Sequence, residues 1–229
     1  MRPLMLNTKE AEMKTKIFLI RHGQSLGNAE HLILGHTDKD LSPLGYEQAR
    51  ATADYLASEH IDVIYSSDLM RAKNTAVPHA QRRGMEVITS VGLREMYVGE
   101  WENKSVAAVK EEYGDMYDVD WTLGFGTFVM PDGESTQEAG RRFYNELERI
   151  ARAEAGKTVL VAAHAAVIRA FWAIVDNIAP KDVASRLPFP TNASYSVVEY
   201  ENGKFIPVEY SHDEHLSSVG ITGIAGVGK

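Results

Sequence analysis

Four short stretches of this sequence carry side chains suited to holding a phosphoryl group. Arg21-His22-Gly23-Gln24-Ser25 follows an apolar run, with Asn28 shortly after. Arg71 lies one helical turn beyond Ser66-Ser67-Asp68, Arg94 precedes Glu95, and His164 ends the most hydrophobic run of the chain. Arginine meets the oxygens of a phosphate with forked, charge-assisted hydrogen bonds. Two histidines, two arginines (Arg21 and Arg71) and one carboxylate make a phosphate site, provided the fold gathers them at one place.

The elements that must do the gathering are legible from pattern. Residues 16–20 (KIFLI) are continuously apolar and β-branched, as in a strand covered on both faces. Ser42-Pro43 opens a helix with a cap and a first-turn proline, and Ala49, Ala53 and Leu56 give it an apolar stripe. A strand is expected over residues 62–65, a helix from Asp68 to about Arg83, and a short strand over 85–88. Residues 102–113 read as a polar helix and 114–133 as an irregular insertion. A long helix runs from Ser135 to about Glu154, followed by a strand at 159–163 and a nearly all-apolar helix at 165–178. Runs at 194–200 and 205–210 flank Asn202-Gly203, a two-residue hairpin signal. Strands alternating with helices imply a three-layer α/β sandwich: a mainly parallel sheet, helices on both faces, an antiparallel edge hairpin. Ligands in such sheets bind beyond the strand C-termini, where all four stretches lie.

Composition narrows the function classes. The chain has 229 residues, 24 basic and 32 acidic, for a net charge of −8, with 44% apolar residues and no cysteine. Absence of cysteine excludes disulfides, a thiol nucleophile, Cys-ligated zinc and iron–sulfur clusters. It fits a cytoplasmic location. Net acidity argues against nucleic-acid binding, which needs clustered Lys and Arg. Residues 158–175 approach the length of a membrane span, but His164 and Arg169 inside them favour a buried strand running into a buried helix. No membrane association is therefore expected. Residues 1–13 lack the apolar core of a secretory signal and read as an extension, with Met13 an alternative start. One domain is expected over 14–210, and a loose, small-residue-rich tail over 211–229.

At this point the sequence meets a family. RHGQSLGN at 21–28 resembles the signature of the histidine phosphatase superfamily, which includes cofactor-dependent phosphoglycerate mutases. The resemblance continues in order through LSPLGYEQA at 41–49, YSSDLMRAKNTA at 65–76, LREMYVGEWENKS at 93–105, PDGES at 131–135 and VAAHAAVIR at 161–169. It implies a phosphoglycerate mutase-like fold and a covalent two-step phosphoryl transfer with no cofactor and no metal. By the resemblance His22 is the nucleophile, since a neutral imidazole with one free nitrogen attacks phosphorus near pH 7. Arg21, Arg71 and His164 surround the transferring group, Asn28 adds a neutral donor, and Glu95 protonates the leaving alkoxide and then activates water.

Blander roles exist for each position. His164 can be a core histidine, Arg71 a partner for a helix carboxylate, Asn28 a helix cap, and Glu100 and Glu102 lie close behind Glu95. Ser25 and His36 suit a loop as well as a pocket lining. Tyr97, Trp101 and Trp121 read as packing residues, and His212-x-x-His215 is too sparse for a metal site. The chain departs from the family pattern at Ala165 and Asn103, where glycine is frequent.

Mutases of this type carry a basic pair in the insertion that follows the acid. Residues 113–133 here hold no Lys or Arg, but do hold Asp115, Asp118, Asp120 and Asp132. A substrate carboxylate would be unpaired there, so the resemblance favours the phosphatase branch: a metal-independent phosphomonoester phosphatase acting on a small phosphorylated metabolite. A cofactor-dependent phosphoglycerate mutase stands second, and a catalytically silent phospho-ligand binding module third. A homodimer is compatible with all three.

Overall fold

The computed structural model describes residues 13–114 and 130–223. Six strands form one sheet: β1 (Thr15–Arg21), β2 (Val63–Ser67), β3 (Val87–Ser90), β4 (Thr158–Ala163), β5 (Tyr195–Glu201) and β6 (Lys204–His212). Their order is β3-β2-β4-β1-β5-β6. The first four run parallel, while β5 pairs antiparallel with β1, and β6 antiparallel with β5. Seven helices accompany them among the described residues: α1 (Leu26–Ala29), α2 (Pro43–Tyr55), α3 (Met70–Arg83), α4 (Val106–Tyr113), α5 (Thr136–Ala153), α6 (Ala165–Val175) and α7 (Val183–Arg186). This is the mixed, mainly parallel α/β architecture expected, with its antiparallel edge hairpin.

The alternation of side chains along the central strands divides the core in two. Ile17 and Leu19 of β1, with Val159 and Val161 of β4, join Phe143, Leu147 and Phe171 of α5 and α6. Phe18, Ile20, Leu160 and Ala162 point the other way, against Leu56 and against Ala76 and Ala80 of α3. A strand with period two, covered on both faces, has to be apolar throughout, which is why KIFLI and VLVAA read as continuous runs.

Boundaries moved where caps decide them. The helix expected over 102–113 begins only at Val106, because Ser105 caps it by accepting the N–H of Ala108. The short strand expected at 85–88 is shifted to Val87–Ser90, where it pairs with β2. The hairpin turn has the left-handed backbone that Asn-Gly signals, with φ 54° at Asn202 and 75° at Gly203. Residues 158–175 divide into β4 and α6, and no helix among the described residues is long and apolar enough to cross a membrane.

The segment after 210 is not loose over its described part. Strand β6 continues to His212, Leu216 is fully buried, and Gly220 and Thr222 are hydrogen-bonded to Gln48. Composition pointed to mobility there, but the small residues let this stretch lie close against α2. Residues 1–12 and 224–229, and most of the 114–133 insertion, lie outside the described residues, as does Trp121.

Candidate active site

The register of the sheet brings the two sequence-distant histidines together. Strands β1 and β4 pair with Arg21 opposite Ala163, so the next residues, His22 and His164, leave the sheet side by side. The backbone N–H of His22 donates to the Ala163 carbonyl at 2.9 Å, extending the ladder by one step. The two rings meet edge to face, 5.2 Å between centroids and 63° between planes. Both are almost completely buried.

Arg21 and Arg71 are each 1% exposed. Backbone carbonyls hold them: Arg21 Nη1 donates to Pro190, and Arg71 Nη1 and Nη2 donate to Thr37 and Gly35 at 2.8 and 2.7 Å. Burial pushes both guanidinium groups down to about 10, with the Glu95 carboxylate acting in the opposite sense, so both stay cationic at neutral pH. Their charge and the surrounding protein have a reciprocal effect on the imidazoles. Burial first, then Arg71 and Arg21, holds His22 well below the usual histidine range; burial, Arg71 and His22 do the same for His164. Both rings are therefore neutral.

The tautomer of His22 follows from its neighbour. Its Nδ1 lies 2.7 Å from the Gly23 carbonyl oxygen, which can only accept, so Nδ1 carries the proton and Nε2 keeps a lone pair. Neither nitrogen of His164, nor Nε of Arg21, has a protein partner. Buried polar atoms are ordinarily paired, so these stand out beside the neighbouring cavity.

Glu95 sits where α6 begins. Its carboxylate accepts the N–H groups of Ala166 and Val167 at 3.1 and 3.2 Å, and the N–H of Met96 at 2.9 Å. Asn28 closes the capping box whose cap is Ser25. Its Oδ1 accepts from the N–H of Ser25 in a capping box and from Nδ2 of Asn192, which orients its own NH₂ group away from those partners. Arg21, His22, Asn28, Arg71 and Glu95 line one cavity of about 70 Å³, walled by Leu32, Leu34, Met96 and Val98. His164, in edge contact with the His22 ring, is not among the residues that line the cavity.

Other positions resolve as packing or support. Arg94 forks onto Asp68 rather than facing the cavity. Trp101 is buried in the core, and Tyr97 packs against the His36 ring. Ala165, in the family position where glycine is frequent, puts its methyl on the cavity wall, and Asn103 takes φ 60°, a conformation asparagine tolerates. His212 and His215 stack with Tyr55, and among the described residues no set of acidic or histidine side chains gathers to hold a metal.

Several supports carried no sequence signal of their own. Arg142 of α5 reaches the carbonyls of Gly92, Arg94 and Glu95 and an ion pair with Glu134, fixing the segment that presents Glu95. Asn192 donates to the carbonyl of His22, while His36, which the sequence offered as a loop or pocket-lining residue, donates from Nε2 to the Glu95 carbonyl. Only the three-dimensional approach of chain segments 47 to 170 residues apart reveals these contacts.

A doubly covered, mainly parallel sheet whose strand ends collect two buried arginines and two neutral imidazoles defines a class: an α/β enzyme that handles phosphoryl groups. The sequence pattern of the Histidine phosphatase superfamily (branch 1) matches residues 17–213. The chain is 35% identical over 208 residues to the metal-independent phosphoserine phosphatase of Arabidopsis thaliana, covering 90% of this chain and 85% of that one. It is 31% identical to the 2,3-bisphosphoglycerate-dependent phosphoglycerate mutase of Corynebacterium efficiens, over 77% of this chain and 82% of the relative. Among solved structures, the phosphoserine phosphatase of Entamoeba histolytica in complex with 3-phosphoglyceric acid superposes with a TM-score of 0.76 at 27% identity, covering 88% and 99% of the two chains. The chain belongs to the histidine phosphatase superfamily, and it is a phosphoric monoester hydrolase.

Proposed function

We propose that this enzyme hydrolyses a small phosphomonoester through a phosphohistidine on His22. One observation carries the reading: a buried, neutral imidazole, fixed by the Gly23 carbonyl with Nε2 unprotonated, lines the same cavity as the Arg21 and Arg71 guanidinium groups. His22 Nε2 attacks phosphorus and the ester P–O bond breaks. Arg21, Arg71, His164 and the NH₂ of Asn28 take up the charge of the transferring oxygens. Glu95 gives its proton to the departing alkoxide. It then takes one from water, whose oxygen attacks the phosphohistidine, releasing inorganic phosphate and free His22.

The apolar wall beyond the arginines supports hydrolysis over isomerisation. Among the described lining residues, Leu32, Leu34, Met96 and Val98 are apolar and there is no lysine or further arginine to pair a phosphoglycerate carboxylate, His31 being the one other basic side chain on that wall. The relatives named phosphoserine phosphatase support the same choice.

The test is turnover of p-nitrophenyl phosphate in EDTA, with ³²P trapping of the acid-labile intermediate. His22→Asn is expected to lose at least about 1,000-fold in kcat and all trapped label. Full activity in that variant refutes the mechanism. A 3-phosphoglycerate isomerisation assay primed with 2,3-bisphosphoglycerate reads the mutase outcome, and binding without turnover reads the silent module.

A further inference from the structure

Two buried side-chain amides, Gln48 of α2 and Asn192 before β5, grip the loop that carries His22. Both are fully inaccessible to solvent. Gln48 Oε1 accepts the N–H of Gln24 at 2.8 Å. Asn192 Nδ2 spans the His22 carbonyl at 3.1 Å and Asn28 Oδ1 at 3.2 Å. One NH₂ group thus ties the backbone of the nucleophile to the side chain proposed as a neutral phosphate donor.

An amide can turn over by half a rotation, exchanging its donor and acceptor ends, and what prevents this is the partner on the far side. Both amides share Thr222 as such a partner, and Gln48 has the Gly220 carbonyl beside it. Its hydroxyl donates to Asn192 Oδ1 at 3.1 Å and accepts from Gln48 Nε2 at 3.0 Å. Its carbonyl accepts the Asn192 N–H at 2.8 Å, and Gly220, two residues earlier, accepts from Gln48 Nε2 at 2.8 Å. A hydroxyl can donate to one amide and accept from the other at the same time.

We infer that the C-terminal segment is part of the enzyme's working machinery: Thr222 is a positioning residue that sets the orientation of Gln48 and Asn192, and through them of the 22–28 loop. The inference rests on the phosphohistidine reading of the site. It assigns to the last described stretch of the chain a role in turnover, although none of its residues lines the cavity. Misplacing reacting groups by a fraction of an ångström to an ångström is costly in rate, so the expected effect falls on kcat.

Thr222→Val keeps the shape and removes both hydroxyl bonds. It is expected to lower kcat for p-nitrophenyl phosphate about 10-fold or more with KM within about twofold. Thr222→Ser, which retains the hydroxyl, is expected to restore at least half of the wild-type kcat. Asn192→Asp removes the two inner donors and is expected to lose more, and adding Thr222→Val to it is expected to cost clearly less than Thr222→Val costs alone, because the Asn192 branch is already cut and only the Gln48 branch remains. If Thr222→Val does not give folded protein, Thr222→Ala takes its place in both comparisons. Wild-type kcat in the valine variant, an equal loss in the serine variant, or losses that multiply in the double variant would each overturn the inference. Absence of trapped label in the wild type would instead refute the phosphohistidine step, leaving the coupling of Thr222 to Asn192 still measurable in turnover.

Discussion

The imidazole of His164 stands edge-on to that of His22, 5.2 Å between ring centroids, with neither ring able to hold a proton easily. A second cation beside the nucleophile would be repelled by Arg71 and Arg21, so the site works with two neutral rings and two permanent charges. Because His22 titrates well below 6.5, the acid limb of kcat/KM, corrected for the substrate's own ionisation, is expected to lie below that value. Arg71→Met removes a charge that depresses both imidazoles and is expected to move the limb upward. Stopped-time assays between pH 4 and 8 read both positions. An acid limb in the variant at or below that of the wild type contradicts the assignment.

Glu95 is presented by three backbone N–H groups, two of them at the start of α6, and by the Arg142 bonds to the Arg94 carbonyl and to its own. On the proposed mechanism Glu95→Gln cannot protonate a leaving alkoxide. Loss of a general acid costs about 10² to 10⁴ in rate, and less when the leaving group departs as a stable anion. The variant is expected to lose kcat/KM, which reads the leaving-group step and not the later hydrolysis common to both substrates, far more severely on an alkyl phosphate than on p-nitrophenyl phosphate. Equal losses on the two substrates would place the proton donor elsewhere.

How far the sequence led is visible in particular residues. Arg21, His22 and His164 were legible because strands must be apolar and polar residues at their ends stand out, and the β1–β4 register then fixes the histidines as neighbours. Arg71 and Glu95 came from family resemblance as well as position. Arg142 and Asn192 were not legible: an arginine on an amphipathic helix and an asparagine in a loop are commonplace. Their roles exist only where α5 passes under residues 92–95, and where residue 192 meets residue 22. The docking of Thr222 was hidden for a related reason, since a run of Ser, Val, Gly and Thr has the composition of a mobile tail and says nothing of the amides waiting for it.

His79 offers a test of the fold apart from the cavity. It sits on α3 fully buried, with neither ring nitrogen hydrogen-bonded, and burial, then Arg83 and His215, push it down to about 3. Above pH 6.5 the ring is neutral in both folded and unfolded chains and contributes nothing to the pH dependence. Below 6.5 the unfolded chain binds a proton that the folded chain refuses, so stability is lost as pH falls toward about 3. At pH 5 that difference is worth about 2 kcal/mol. His79→Leu removes it and spares the core two unpaired nitrogens, for a change of shape that costs under about 1.5 kcal/mol. Urea unfolding at pH 5 and pH 8 is expected to show the gap between the two pH values shrinking by about 2 kcal/mol in the variant. Catalysis is expected to persist, since His79 does not line the cavity. Parallel unfolding curves for wild type and variant at both pH values would mean that residue 79 accepts a proton in the folded protein as readily as in the unfolded one.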